Sequence, residues 1–186
     1  LSLLNIITPQ EYLDGVMFTV ERLDERMVKV LSQMAANLQL KTDEVYFQSH
    51  VDSFYYFTLA QEESLWAYEV LLCEYDNRIL RLYRFECNRK TTPRVVFIEE
   101  DERHDMQREE DEKGELPTAG LDRIFSRIVK EKCNGRAVSG VYLIGDGYKD
   151  GWADESLRYL CRGRRVFQGN NLYSKGACYS ICEKLG

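Results

Sequence analysis

The segment Val141-Tyr142-Leu143-Ile144 constrains the fold most, because four consecutive apolar residues without polar alternation suit an interior strand covered on both faces. Directly after it stands Gly145-Asp146-Gly147, and helical patterns flank it on both sides. Leu121, Ile124, Phe125, Ile128 and Val129 recur at three- and four-residue spacing and predict an amphipathic helix over 121–133, stopped by Asn134-Gly135. Ala153, Leu157, Leu160 and Cys161 outline a second helix, followed by the short strand Arg165-Val166-Phe167 and a closing helix over 172–185. Strands separated by helices in this way are joined as parallel crossover units.

Upstream of these units the pattern changes. Leu65 to Tyr75 and Arg78 to Cys87 are aromatic and β-branched runs, and Asp76-Asn77 between them tolerates the positive φ of a two-residue hairpin turn. Arg94 to Ile98 is a third strand, after Thr92-Pro93. The order from residue 65 is therefore β-β-β-α-β-α-β-α, an antiparallel hairpin entering a sheet that continues in parallel. The fold class is α/β, a ribonuclease H-like mixed sheet with flanking helices.

The polar connector Gln61-Glu62-Glu63-Ser64 marks the expected boundary, with a partial preceding domain over 1–62 and the ribonuclease H-like domain over 63–186. Within the first part, Thr8-Pro9-Gln10-Glu11 opens a short helix that Gly15 ends, and Val16 to Val20 reads as a buried strand. Leu23, Met27, Val30, Leu31, Met34 and Leu38 form one stripe of a helix over 22–39. Glu44 to Gln48 is a second short strand, and helical patterning returns over His50 to Leu59. The apolar opening Leu1 to Ile7 carries no cap or turn signal before it and reads as a fragment's edge.

A chain of 186 residues that is 44% apolar and 12% aromatic has enough material for a sizeable core. Its net charge of −6 gives no footprint for a polyanion, so nucleic acid is not an expected partner. No apolar run approaches the roughly 18 residues of a spanning helix and no secretory leader precedes the first helix, so the expected place is the cytoplasm and no membrane partner is expected. The six cysteines stand mostly in apolar segments and are expected as free thiols. Residues 99–115 carry a long charged run that reads as a solvated loop.

Two stretches resemble the actin, heat-shock chaperone and sugar-kinase ATPase superfamily, specifically its second half. Gly15 to Val20, with the helix ending in Ala35-Ala36-Asn37-Leu38, resembles the last strand and connecting helix of that superfamily's domain I, and Glu44 to Tyr56 the next such pair. Val141 to Gly147, with the later Gly176-Ala177, resembles the adenosine-side strand, glycine turn and closing helix of domain II. The tail from Gly163 to Tyr179 is specific enough in composition to suggest a bacterial family of its own within the superfamily.

The resemblance implies ATP or ADP with magnesium as the cofactor, bound at Gly145, Asp146, Gly147 and Gly176: a Cβ at Gly145 or Gly147 would intrude on a nucleotide lying against the backbone, and Gly176-Ala177 would let the closing helix pack tightly beneath the site. It assigns no catalytic residue and no metal ligand. The superfamily's phosphate-holding hairpin carries glycines, whereas here the corresponding turn is Glu74-Tyr75-Asp76-Asn77-Arg78, without glycine and with two added carboxylates. The other phosphate hairpin belongs to the first half of domain I, which this chain does not contain. The expected function is thus a degenerate actin-like nucleotide-binding domain with weak or no ATP hydrolysis, and the alternative is a non-enzymatic scaffold. Its expected partners are the missing N-terminal half of the same protein, a further protein, and a second copy through the unpaired edge of the strand over 16–20.

Other groupings have competing readings. Glu74, Asp76 and Asp146 are the acids a two-metal ribonuclease H-like nuclease would use, although net acidity opposes a nucleic-acid substrate. Cys178 and Cys182 lie one helical turn apart, without the further ligands a zinc site needs. Neither His50 nor His104 stands near a nucleophile turn. Arg162, Arg164 and Arg165, with Lys175, Phe167 and Tyr173, form the basic concentration of the chain, with Asn170-Asn171 as a cap for the last helix beside it. Trp66 and Tyr68, with the aromatic residues from Phe54 to Phe57, read as core.

Overall fold

The computed structural model describes residues 13–38, 40–101, 103–106 and 118–186. The helix expected from Thr8 lies outside these residues except for its last three positions, as do the apolar opening and most of the charged run beyond Met106. The chain divides into two compact units, one made of Leu1–Ala60 with Leu172–Gly186 and the other of Gln61–Asn171. The boundary at Gln61 falls beside the expected connector, and by its contacts the closing helix joins the first unit rather than residues 63–171.

In the first unit, β1 (Val16–Val20) and β2 (Val45–Ser49) pair in parallel, with Val16 opposite Val45. Among the described residues, three helices accompany them: α1 (Glu25–Asn37), α2 (His50–Leu59) and the closing Leu172–Leu185. Asp24 starts α1 by accepting the Met27 N–H at 2.7 Å. A reciprocal capping box starts α2, in which the Asp52 N–H donates to Ser49 Oγ at 3.0 Å and the Asp52 carboxylate accepts from Ser49. The Ser53 hydroxyl, fully buried, donates to the Ser49 carbonyl, accepts the Gln48 amide and lies against Thr19 Oγ1, each at 3.0 Å. This hub ties β1, β2 and α2 together without an orphaned polar group.

Two expectations for this unit need correction. Every residue of β1 is only partly buried, so it is not the covered strand that its apolar composition suggested. In α1 only Leu31 and Ala35 are buried, whereas Met34 is 52% exposed and Val30 44% exposed. The periodicity fixed the helix and its apolar face, because both are local properties of the chain. Burial of that face depends on what stands opposite.

The second unit is built on a mixed sheet of order β5-β4-β3-β7-β8, formed by β3 (Glu69–Asp76), β4 (Ile79–Asn88), β5 (Val95–Glu100), β7 (Val138–Ile144) and β8 (Arg165–Gln168). The two-residue β6 (His104–Asp105) adds to β4. Pairs β3–β4 and β4–β5 are antiparallel, whereas β3–β7 and β7–β8 are parallel. The fold class read from the sequence, a ribonuclease H-like mixed sheet with flanking helices, is the one observed. Helices α3 (Thr118–Cys133) and α4 (Asp154–Leu160) make the crossovers, and the closing helix of the first unit is α5.

The core follows the two-residue period of the strands. Leu71, Cys73 and Tyr75 of β3, Leu80 and Leu82 of β4, and Val141 and Leu143 of β7 share one buried cluster with Phe125, Ile128 and Val129 of α3. Val70, Leu72 and Phe85, at the alternate positions, are fully buried as well, so the central strands are covered on both faces. All six cysteines are free, with Cys73 and Cys133 inside this core.

Two charged or titratable groups in the core carry measurable consequences. Asp122 of α3 is buried and accepts from the Glu155 N–H at 2.6 Å, the Ser156 N–H at 2.9 Å and Ser156 Oγ at 2.6 Å. It thereby caps α4, whose own Ala153 cannot. Asp122→Ala is expected to cost about 2–3 kcal/mol in urea denaturation, since it orphans donors at a buried helix end.

Burial pushes the Tyr142 phenol up to about 12 from its ordinary 10.0. The neutral phenol is favoured in the folded chain, so its contribution is complete below pH 10 and is lost as pH rises from 10 towards 12. A phenolate absorbance titrating near 12, absent from Tyr142→Phe, is the expected result.

Candidate functional site

The turn Gly145-Asp146-Gly147 forms where β7 leaves the sheet. Gly145 has φ 106° and ψ 159°, a backbone region that essentially only glycine occupies. Residues Asp146–Tyr148 then make one 3-10 turn before α4. The parallel register sets Glu74 beside Ile144, so the end of β3 and its hairpin adjoin the turn. The positive-φ pair of that hairpin is Asn77 and Arg78, at 48° and 70°, one residue later than the sequence suggested. Asp76 accordingly remains the last residue of β3, with its side chain available to the neighbouring turn.

Asp76 Oδ1 accepts the Asp146 N–H at 2.6 Å. Asn170, just beyond β8, accepts the Gly145 N–H at 2.9 Å through Oδ1 and donates through Nδ2 to the Asp146 carboxylate at 3.1 Å. Lys149 pairs with the same carboxylate at 3.0 Å. The Gly147 carbonyl accepts the Trp152 indole N–H at 2.7 Å. Asn170 therefore serves the turn, where the sequence offered it as a cap for the last helix.

The glycines are explained by the chain's own packing. A Cβ at Gly145 would overlap the Tyr75 carbonyl oxygen and stand 2.8 Å from its carbon, and one at Gly147 would enter the Tyr75 ring. Gly176 lies in the other unit, where a Cβ would overlap the Ser53 carbonyl of α2. Below the turn, Tyr75, Tyr148, Trp152 and Phe125 pack edge-on or stacked, with ring centroids 5.6–5.9 Å apart. Burial, followed by the charge of nearby groups, pushes the Tyr148 phenol well above its usual value.

Nucleotide phosphates need free N–H donors and compensating positive charge. Here the two leading amides of the turn already serve side-chain oxygens, one of them the Asp76 carboxylate, and Asp146 adds a second negative group. The turn therefore offers neither of these amides to a phosphate.

The acids of the nuclease reading are only partly convergent. Asp76 and Asp146 adjoin through the hydrogen bond above, while Glu74 is buried opposite Arg81, with 3.7 Å between their charged groups. Among the described residues no group of three or more His, Cys, Asp or Glu side chains is placed to hold a metal ion. The basic concentration divides, with Arg162, Arg164, Arg165 and Phe167 in the second unit and Tyr173 and Lys175 in the first. His50 stacks on Tyr173 at 3.9 Å. No helix among the described residues is long and apolar enough to cross a membrane.

Sequence reading missed Tyr75 as the reason for two glycines and Asp76 with Asn170 as the acceptors that close the turn. The carboxylate at the end of β3 was visible as a misfit to a phosphate turn. Its partner across the sheet was not, because the hydrogen bond spans 70 positions of sequence.

Comparison with known proteins gives three findings. Among solved structures, the chain is similar to one described as the Alp12 filament structure, with 10% identity and a TM-score of 0.45 over 78% of this chain. The chain spans 55% of that relative's length. It is also similar to a Bacteroides thetaiotaomicron protein described as having an actin-like ATPase fold and unknown function, with 12% identity and a TM-score of 0.44, covering 89% of this chain and 72% of the other. No curated protein matches the chain. A family model does match, over residues 1–186, and the chain therefore belongs to the family described as "Family of unknown function (DUF5716) C-terminal".

Proposed function

We propose that this chain is the C-terminal part of an actin-like protein whose nucleotide site is degenerate, and that it works through protein contacts rather than ATP hydrolysis. One observation carries the reading: Asp76 and Asn170 occupy the amides of the Gly145-Asp146 turn, so that the chain's own side chains take the donors an approaching nucleotide would use. The sheet order supports the superfamily part of the reading, and the family's C-terminal designation supports a preceding half of the same protein as partner.

Calorimetric titration of the chain with ATP and with ADP, each with magnesium, tests it. The expected result is no saturable, magnesium-dependent binding that responds to the turn. Saturable binding that Asp76→Asn strengthens or Asp146→Asn weakens would show the turn holding nucleotide, and the reading would fail.

A further inference from the structure

At the opposite end of the same sheet from the glycine turn, the starts of β3, β7 and β8 border an open cavity of about 400 Å³. Its lining includes Ser64, Tyr68, Ser139, Cys161, Arg164 and Arg165, and among the described residues no carboxylate. That volume falls in the range of small-molecule sites. In a chain of net charge −6, a recess lined by two arginines and no described acid stands out.

The cations here are uncommitted. Arg164 and Arg165 make no ion pair with any described residue, and the Arg164 Nε–H is shielded from solvent with no acceptor among them. The Arg164 guanidinium lies over the Tyr159 ring, 5.3 Å from its centroid, and contacts the Arg162 carbonyl only at 3.5 Å. Stacking thus holds the planar fork in place before any ligand arrives. Ser139 Oγ accepts the Tyr68 N–H at 2.7 Å, which leaves its own O–H to donate. Glu69, the acid next in sequence to Tyr68, is committed to Arg84 and Arg136.

A second charged depression of this unit differs in kind. Its lining includes Arg84, Asp101, Lys132 and Arg136 beside three glutamates, and its cations are already neutralised: Lys132 pairs with Asp101 at 3.0 Å and Arg136 with Glu69 at 2.9 Å. An anion there would have to displace existing pairs. At Arg164 and Arg165 there is no ion pair with a described residue to displace.

We infer that this cavity binds a phosphate monoester of a small molecule, gripped by Arg164, Arg165 and the Ser139 hydroxyl, with the ring of Tyr68 beside the ester group. Guanidinium forks match phosphate oxygens in bidentate geometry, and a serine hydroxyl donates to a third oxygen. Tyr68, 65% exposed at the rim, offers a face to a planar ester group. The site is independent of the glycine turn and of the actin-like reading.

Titrating inorganic phosphate and phenyl phosphate into the isotope-labelled chain, with amide shifts as the readout, decides the matter. Both probes are expected to saturate and to shift amides around 138–140 and 163–166, with phenyl phosphate the tighter. Arg165→Gln, an exposed change, is expected to weaken both by roughly ten-fold or more. Arg164→Lys, which keeps the charge and loses the fork, should weaken them similarly, and Tyr68→Ala should remove the advantage of phenyl phosphate alone. Absence of saturation by either probe, binding unchanged in Arg165→Gln, or an equal loss in the remote exposed variant Arg123→Gln would overturn the inference. Any ATP binding that Arg165→Gln removes and Asp76→Asn leaves unchanged belongs to this cavity, which separates it from the outcome that bears on the turn.

Discussion

Gly145→Ala is expected to destabilise the unit of residues 61–171 by roughly 4 kcal/mol, the sum of backbone strain and overpacking. The strain arises because φ 106° with ψ 159° is closed to residues with a side chain. The overpacking arises because the added methyl would meet the backbone of Tyr75 and stand 3.0 Å from Asp76 Cγ. Tyr75 cannot yield cheaply, since its backbone is held opposite Leu80 in the β3–β4 ladder and its ring in the aromatic cluster. Urea denaturation followed by tryptophan fluorescence is the measurement, with Trp152 close enough to report on the turn. If the glycine serves a ligand rather than the fold, the variant will instead keep its midpoint within about 0.5 M of the parent, given the usual urea slope.

Gly176→Ala provides an independent and sharper test, because helix propensity and packing predict opposite signs. In an ordinary helix interior the change stabilises by about 1 kcal/mol. In α5 the methyl would overlap the Ser53 carbonyl of α2 and stand 2.6 Å from its carbon and 3.0 Å from its Cα. All three contacts are backbone, so relief requires two helices to separate and the Ser53 hub with Thr19, Gln48 and Ser49 to be rebuilt. A loss of about 3 kcal/mol is expected, at the upper end of overpacking costs. An equal or raised denaturation midpoint would show that α2 and α5 do not approach this closely.

Both glycines were visible in the sequence as positions where a side chain would intrude, Gly145 against a nucleotide and Gly176 in the packing of the closing helix. A glycine declares that something approaches the backbone without declaring what. At Gly145 the resemblance supplied a nucleotide, and the structure brings the Tyr75 backbone there; at Gly176 the approaching backbone is that of Ser53 in α2. The same limit appears in α1, where spacing revealed an apolar stripe that is largely exposed at Val30 and Met34.

Local signals served better. The run Val141 to Ile144 announced a strand buried on both faces, and the stripe from Leu121 to Val129 announced α3, because each depends on periodicity within one element. The hairpin after β3 was placed within one residue. The arginines near residue 164 were legible as a basic group, but not the divide that leaves Lys175 in the other unit. Nor was the recess they line, since Ser64 and Ser139 join them only through the sheet.

The free cysteines give this molecule a built-in stopwatch. Cys73 is wholly buried at the centre of the sheet and Cys133 nearly so, and burial raises both thiols, which suppresses the reactive thiolate. Cys161, Cys178 and Cys182 are exposed. A thiol reagent will therefore modify these three sites promptly and the half-buried Cys87 after them, and the delayed modification of Cys73 and Cys133 will time each opening of the second unit's interior. Placing Gly145→Ala on that clock would reveal how often the clasp between β3 and β7 lets go, without any label being introduced.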